Sequence, residues 1–237
     1  NEVPGLIPTT EWKKETLGES WQPGENLSNA IGQAFVLTTP LQMAVAYNAI
    51  GLEGEIYHPF IVKKIIDSKD RVIKTYAPEL KRDLNSEESE PFISKKNFRV
   101  VKEGMRRVNN GDRGTARWWK VPGIQIAGKT GTSQVRSFSA DQIYGDCDER
   151  PIEQRHHGWF IGYAPAEKPV ITVAVLAEHS CAGSSGGAPV VRDVIRAYLE
   201  KYHPEWLKRK RPEVKISKIP PQRRNRAPQE PRSVNED

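Results

Sequence analysis

The segment Ala127-Gly128-Lys129-Thr130-Gly131-Thr132-Ser133-Gln134-Val135 lies inside a strand predicted over 124–135. Two further strands are predicted over 157–164 and 170–178, and the short polar turn between them predicts an antiparallel hairpin. A helix is predicted over 189–202, because apolar residues recur there at helical spacing. The second half of the chain therefore predicts an antiparallel sheet followed by a helix.

The residue types in this segment suit the binding of an extended peptide that ends in a carboxylate. Lys129 offers a positive charge to a carboxylate, and the hydroxyls of Thr130 and Thr132 add hydrogen bonds. Gly131 lets a peptide approach the strand backbone, where it could pair as an added strand. Taken alone, Lys129 is better explained as an ordinary surface lysine on a glycine-bounded strand, and only the flanking sequence reverses that preference.

A helix over 40–50 carries a full set of boundary signals. Thr39 can cap it, Pro40 occupies the first helical position, and Gln42 can reach back as the capping-box partner. Gly51 is well placed to end it. The helix is apolar on all sides, which indicates burial.

The rest of the first half predicts a loop, a hairpin and one more helix. Residues 9–27 lack sustained periodicity and are interpreted as a loop. Residues 56–76 alternate well enough for two short strands in an exposed hairpin. A second helix is predicted from Ser94 to the run Asn109-Asn110-Gly111.

Three motifs accompany Lys129-Thr130-Gly131 in a fixed order. Ile31-Gly32-Gln33 comes first, then Thr39-Pro40-Leu41-Gln42-Met43-Ala44, then Gly114-Thr115-Ala116 shortly before the strand. With this combination, residues 20–202 resemble the C-terminal half of class B penicillin-binding proteins, in particular the elongation-type group of penicillin-binding protein 2.

The resemblance implies an α+β fold, the penicillin-recognising fold that these transpeptidases share with serine β-lactamases. In that fold an antiparallel sheet carries helices on both faces. We expect residues 1–207 to form the C-terminal part of the transpeptidase domain, with the N-terminal part of the domain missing.

The activity implied by the resemblance is peptidoglycan D,D-transpeptidation, the cross-linking of stem peptides that end in D-alanyl-D-alanine. β-Lactam antibiotics imitate that end and would bind the same site. Lys129 and the hydroxyls of Thr130 and Thr132 would contact the terminal carboxylate beside Gly131. The backbone N–H of Thr132 would supply half of the oxyanion hole. The resemblance implies neither a cofactor nor a metal.

The nucleophile of this family is a serine in a Ser-x-x-Lys motif, and a Ser-x-Asn motif assists it. No serine of this chain has a lysine three residues on, and no Ser-x-Asn precedes Lys129. We therefore expect the nucleophile to be absent through truncation and this chain alone to be inactive. A β-lactamase or β-lactam sensor shares Lys-Thr-Gly, although residues 31–44 favour the transpeptidase. A non-catalytic peptidoglycan-binding or scaffold module is the alternative from a different class.

Charge and hydropathy limit the location and the partners. No run approaches the roughly 18 to 20 apolar residues of a membrane-spanning helix. The net charge of +6 arises in residues 208–237, where ten Lys and Arg face four Asp and Glu. This segment is rich in proline, so a disordered tail is predicted and nucleic-acid binding is not. By resemblance, the parent enzyme would face the periplasm, be anchored in the bacterial inner membrane by a segment outside this chain, and work with a membrane glycosyltransferase.

Cys147 and Cys181 leave a disulfide or two free thiols open, and a metal site is conceivable because acidic and histidine residues lie near Cys147. If the three strands form a meander, however, the loop that holds Cys147 and the strand end before Cys181 share one edge of the sheet. We therefore predict a Cys147–Cys181 disulfide, which suits an extracytoplasmic compartment.

His156, His157 and the pair His179-Ser180 are the remaining candidates for catalysis. Nothing in the sequence orients them, so structural hydrogen bonds are the preferred interpretation. Trp118 and Trp119 are interpreted as core or loop anchors rather than as a platform for a sugar.

Overall fold

The computed structural model of the chain describes residues 3–135 and 146–207. In chain order the helices are α1 (Thr10–Leu17), α2 (Pro23–Ala30), α3 (Pro40–Gly51), α4 (Lys95–Asn110), α5 (Gly187–Tyr202) and α6 (Pro204–Leu207). The strands are β1 (Glu55–Tyr57), β2 (Lys64–Ile66), β3 (Val72–Thr75), β4 (Leu80–Asp83), β5 (Ala127–Ser133), β6 (His157–Ala164) and β7 (Ile171–Ala177). The predicted basic tail, 208–237, lies outside the described residues, as do residues 136–145 of the loop between β5 and β6.

The main sheet is the antiparallel meander β5-β6-β7, which confirms the predicted hairpin of β6 and β7. Lys129 lies opposite Ile161, and Thr132 lies opposite Gly158. Because β6 is central, β5 is an edge strand with one side free for other groups.

Successive side chains of β6 point to opposite faces of the sheet. A different set of helices covers each face. Phe160 is buried against Val191 and Ile195 of α5. Tyr163 is buried against Met105 of α4 on the other face, where α3 also packs. The predicted α+β architecture, with helices on both faces of an antiparallel sheet, is confirmed.

The predicted N-terminal capping box of α3 is confirmed, and the helix ends at Gly51 with Leu52 as its C-cap. The backbone N–H of Gln42 donates to Thr39 Oγ1 at 3.1 Å, and the backbone N–H of Thr39 donates to Gln42 Oε1 at 2.9 Å. The expected burial is wrong for most of the helix: only Ala49 and Gly51 are buried, and Leu41 is 51% exposed. α3 packs against β6 and β7 of the main sheet and against β1 and α4, and most of its side chains stay at least partly accessible.

The loop predicted over 9–27 is wrong, since two short helices lie there. Thr9 caps α1 through its side chain, and Gly18 ends it in the left-handed conformation at φ 70°. Gln22 and Glu25 form a capping box at the start of α2. Each helix has eight residues, which is too few turns for an apolar period to be recognised.

The predicted hairpin is confirmed for β2 and β3, which pair from Lys64 opposite Thr75. The sequence missed β4, which pairs with β1 across that hairpin. The second predicted helix is α4, and the backbone N–H of Asn97 donates to the side chain of its cap, Ser94. No helix in the part of the chain that the structure describes combines the length and apolar character needed to cross a membrane.

Candidate functional site

The open edge of β5 presents backbone groups of Thr130 and Thr132. Lys129 Nζ donates to Thr130 O at 2.6 Å, and Gln33 Nε2 donates to Thr132 O at 2.5 Å. These side-chain contacts show that both oxygens face away from β6. In an antiparallel strand the N–H and C=O of one residue point to the same side, so the N–H of Thr132 also faces the open edge. A peptide laid along this edge would find one donor and one acceptor at Thr132.

The electrostatics of the edge favour an anionic group. Lys129 is exposed and lines a cavity of about 510 Å³ together with Arg107, Asp112 and Arg113. Three of these four ionisable side chains are cationic, although Glu103 accepts a hydrogen bond from Arg107 at 2.7 Å. A carboxylate placed beside Lys129 would therefore meet a net positive surface.

Thr130 is held by a residue from the turn after α4. Thr115 Oγ1 lies 3.0 Å from Thr130 Oγ1, within hydrogen-bond distance. The turn is tight, because a Cβ on Gly114 would collide with the carbonyls of Arg107 and Val108. The motif Gly114-Thr115-Ala116 therefore places the hydroxyl of Thr115 beside Thr130 of β5.

The segment between β7 and α5 packs against the same strand. A Cβ on Gly183 would collide with the carbonyl of Trp159 and come within 2.7 Å of Gly131 O. Trp119 Nε1 donates to Ser184 O at 2.6 Å and anchors this segment from the other side. Residues 183 and 184 therefore form the wall behind Gly131.

Cys147 and Cys181, the predicted pair, are joined by a disulfide with their Cα atoms 5.7 Å apart. The backbone N–H of Cys181 also donates to His156 O at 2.9 Å. The bridge ties the 3-10 turn Cys147–Glu149 to the segment that packs on Gly131. A bonded sulfur is neither a free thiol nor a thiolate ligand, and no group of three or more His, Cys, Asp and Glu is placed to hold a metal within 3–135 and 146–207.

The histidines near this edge make structural contacts. The backbone N–H of His179 donates to His157 Nδ1 at 2.9 Å, and the two rings meet edge to face at 4.7 Å. Ser180 Oγ donates to Ala177 O at 3.0 Å. Of the two tryptophans, Trp119 is an anchor as predicted, but Trp118 is 75% exposed, so the anchoring role predicted for it is wrong.

Two contacts of the site were not anticipated. Gln33 and Thr115 belong to motifs that the sequence marked only through their order along the chain. Gln33 is 99 positions from Thr132, and Thr115 is 15 positions from Thr130. The only available signal was the presence of both motifs together with Lys-Thr-Gly.

Residues 2–196 match a family model described as the penicillin binding protein transpeptidase domain. The peptidoglycan D,D-transpeptidase MrdA of Haemophilus influenzae is 31% identical over 236 residues, which cover 99% of this chain and 34% of that protein. MrdA of Acinetobacter baumannii is 34% identical over 201 residues, covering 84% of this chain and 28% of that protein. The chain thus spans about a third of the length of these curated relatives.

Solved structures agree with this match. Penicillin-binding protein 2 of Pseudomonas aeruginosa, in complex with WCK 5153, superposes with a TM-score of 0.62 at 32% identity, covering 85% of this chain and 40% of that one. Penicillin-binding protein 2 of Helicobacter pylori, in complex with MreC, gives a TM-score of 0.64 at 29% identity, covering 85% of this chain and 32% of that one.

Proposed function

The chain belongs to the penicillin-binding protein transpeptidase family, and we propose that it supplies the substrate-binding strand of a peptidoglycan D,D-transpeptidase. The observation that carries this proposal is the open edge of β5. There the N–H and C=O of Thr132 face away from β6, beside the ammonium group of Lys129. The relatives named above carry the same activity in their names.

The ligand of the strand would be a stem peptide ending in D-alanyl-D-alanine, or a β-lactam. Lys129 would leave the carbonyl of Thr130 and pair with the terminal carboxylate, and the hydroxyls of Thr130 and Thr132 would add hydrogen bonds. Gly131 would allow the peptide to lie close to the strand. The N–H of Thr132 would point at the oxygen of the attacked carbonyl and stabilise the negative charge that develops there.

The reaction is of the serine type and proceeds through an acyl-enzyme. A serine oxygen attacks the carbonyl of the penultimate D-alanine, an ester forms, and the peptide bond to the last D-alanine breaks. The serine's proton leaves with the amino group of the released D-alanine. An amine of a neighbouring stem peptide then attacks the ester carbonyl, a new amide bond forms as the ester bond breaks, and the proton that the amine loses returns to the serine oxygen.

The serine would come from residues outside these 237, since no Ser-x-x-Lys occurs among them. The surface around Gln33 supports this placement. Leu27, Ile31 and Leu37, which flank Gln33 in the chain, are 75%, 76% and 62% exposed, and exposed apolar surface of this kind is typical of an interface. The segment that carries the serine would pack there and bring it opposite Thr132, and this chain by itself would be inactive.

The intact enzyme would be anchored in the bacterial inner membrane and face the periplasm, where the disulfide is stable. A membrane glycosyltransferase would make the glycan strands that it cross-links. The Helicobacter pylori relative was solved with MreC, and we propose an equivalent contact for the intact protein.

Labelling with a fluorescent penicillin tests the proposal. The intact protein that carries this chain should form a stoichiometric adduct, and Lys129→Met should slow labelling by about ten- to a hundredfold, the range for loss of a charged hydrogen bond. Lys168→Met is the matched control, since Lys168 is an exposed lysine in the turn between β6 and β7. Equal labelling rates for the two variants would show that Lys129 does not take part in binding.

A non-catalytic peptide-binding module is the second candidate, favoured by the missing Ser-x-x-Lys motif. Such a module would bind a D-alanyl-D-alanine peptide through the same strand and form no covalent adduct in the intact protein. Saturable binding of that peptide without penicillin labelling would favour the non-catalytic module over the transpeptidase.

A further inference from the structure

We propose that the side chain of Gln33 is a stand-in for the substrate. Its carboxamide occupies the open edge of β5 until the acyl donor displaces it. The proposal rests on the transpeptidase function above and concerns the same strand. It assigns to Gln33 a role in selecting acyl donors rather than in the chemical steps.

The contact of Gln33 imitates strand pairing. A carboxamide N–H is the same kind of donor as a peptide N–H, and here it donates to Thr132 O at 2.5 Å. Neighbouring strands in a sheet lie about 4.8 Å apart, so a donor this close to the carbonyl lies in the row that an added strand would occupy. An acyl donor that pairs with Thr132 O must therefore remove the Gln33 side chain first.

The backbone at Gln33 is fixed, so the displacement is confined to the side chain. The N–H of Gln33 donates to Ser28 O at 2.9 Å, and the N–H of Gly32 donates to Asn29 O at 3.0 Å. Gly32 and Ala34 both have left-handed backbones, at φ 74° and 59°. This tight turn holds the base of the side chain beside β5, while the side chain itself is only partly buried.

The competition distinguishes acyl donors by one group. A donor with an amide N–H aimed at Thr132 O competes directly with Gln33, whereas a donor without that N–H gains nothing when Gln33 leaves. One net hydrogen bond corresponds to about a two- to tenfold change in rate. Gln33 therefore slows the first class of donor relative to the second.

The test compares two β-lactams on the intact protein. Benzylpenicillin carries a side-chain amide N–H, and penicillanic acid sulfone has no side chain at that carbon. For Gln33→Leu, which keeps the approximate size but donates no hydrogen bond, the acylation rate with benzylpenicillin should rise about two- to tenfold. The rate with penicillanic acid sulfone should stay unchanged.

Gln125→Leu is the control, because Gln125 is an exposed glutamine that precedes β5. Circular dichroism checks the fold of each variant, and Gln33→Ala repeats the test with a smaller side chain. If both rates fall together, Gln33 positions the strand and the stand-in role is wrong; if neither rate changes, the contact lies off the substrate's path and the role is also wrong. Failure of the unmodified protein to react with either compound would instead overturn the proposed function.

Discussion

Thr115 and Thr130 face each other across the turn that precedes β5, with their Oγ1 atoms 3.0 Å apart. Thr130 projects from the strand that holds Lys129, and Thr115 is fixed by the N–H of Ala116, which donates to Val108 O at 3.0 Å. The hydroxyl of Thr115 therefore limits the rotamers available to Thr130. This contact links the turn after α4 to β5.

Replacing Thr115 should weaken the site without weakening the fold. Thr115→Val keeps the shape of the side chain and removes its hydrogen bond, so penicillin labelling of the intact protein should slow about two- to tenfold. Thr115→Ser should restore most of the rate because the hydroxyl returns. Thr75→Val, at the exposed end of β3, is the control. A Thr115→Val protein that labels at the normal rate would show that Thr130 needs no partner.

Gly183 is a position where one added atom should affect the site. In Gly183→Ala, the new Cβ would meet the carbonyls of Trp159 and Gly131. The segment must move away from β5, which we expect to cost about 1–3 kcal/mol of stability and to slow labelling. Thermal unfolding and labelling rates of the intact protein measure both effects.

Gly24→Ala provides the comparison for that substitution. Gly24 lies in α2, and a Cβ there meets no atom within 4 Å. Alanine is the better helix former, so the melting temperature should stay the same or rise slightly. If Gly183→Ala behaves like Gly24→Ala, the segment at 183 is not packed as described.

The sequence predicted the parts of this fold that depend on neighbouring residues. Thr39, Pro40 and Gln42 predicted the start of α3 because a capping box is closed within four positions. The hairpin of β6 and β7 followed from two apolar runs and a short turn. A contiguous motif predicted the roles of Lys129, Thr130 and Thr132 in binding a carboxylate, and those roles stay predictions.

What the sequence missed depends on long-range packing. The contact of Gln33 with Thr132 spans 99 positions, and no local pattern encodes it. The pairing of β1 with β4 was missed because each strand is only three or four residues long and the pair encloses another hairpin. Lys13 was unremarkable in the sequence, yet it is 3% exposed and donates to Glu25 Oε1 at 2.6 Å, which joins α1 to α2.

The disulfide should stabilise the wall behind Gly131. Cys147 and Cys181 are 34 positions apart, and closing a loop of that size in the unfolded chain stabilises the fold by about 2–4 kcal/mol. The double variant Cys147→Ser, Cys181→Ser should therefore unfold at a lower temperature and label more slowly with penicillin. The unmodified protein in reductant should behave like the double variant. Two thiols that alkylate freely without reductant would contradict the bridge.

His156 should make stability fall at mildly acidic pH. Burial, followed by the charges of Arg150 and His157, lowers the pKa of His156 below its ordinary value. Above the unfolded pKa of about 6.5, His156 is neutral in both the folded and the unfolded chain, so its protonation does not change the free energy of unfolding. As the pH falls through that value, the unfolded chain binds the proton more readily than the folded chain does, so stability is lost.

His156→Gln should therefore flatten the loss of stability between about pH 7 and pH 5. Its side chain stays neutral in both states, so no proton is taken up on unfolding at this position. Melting temperatures of the intact protein at the two pH values give the comparison, and His58→Gln, at an exposed position, should leave the loss as it is. An equally steep fall in His156→Gln would assign the acid sensitivity to other groups.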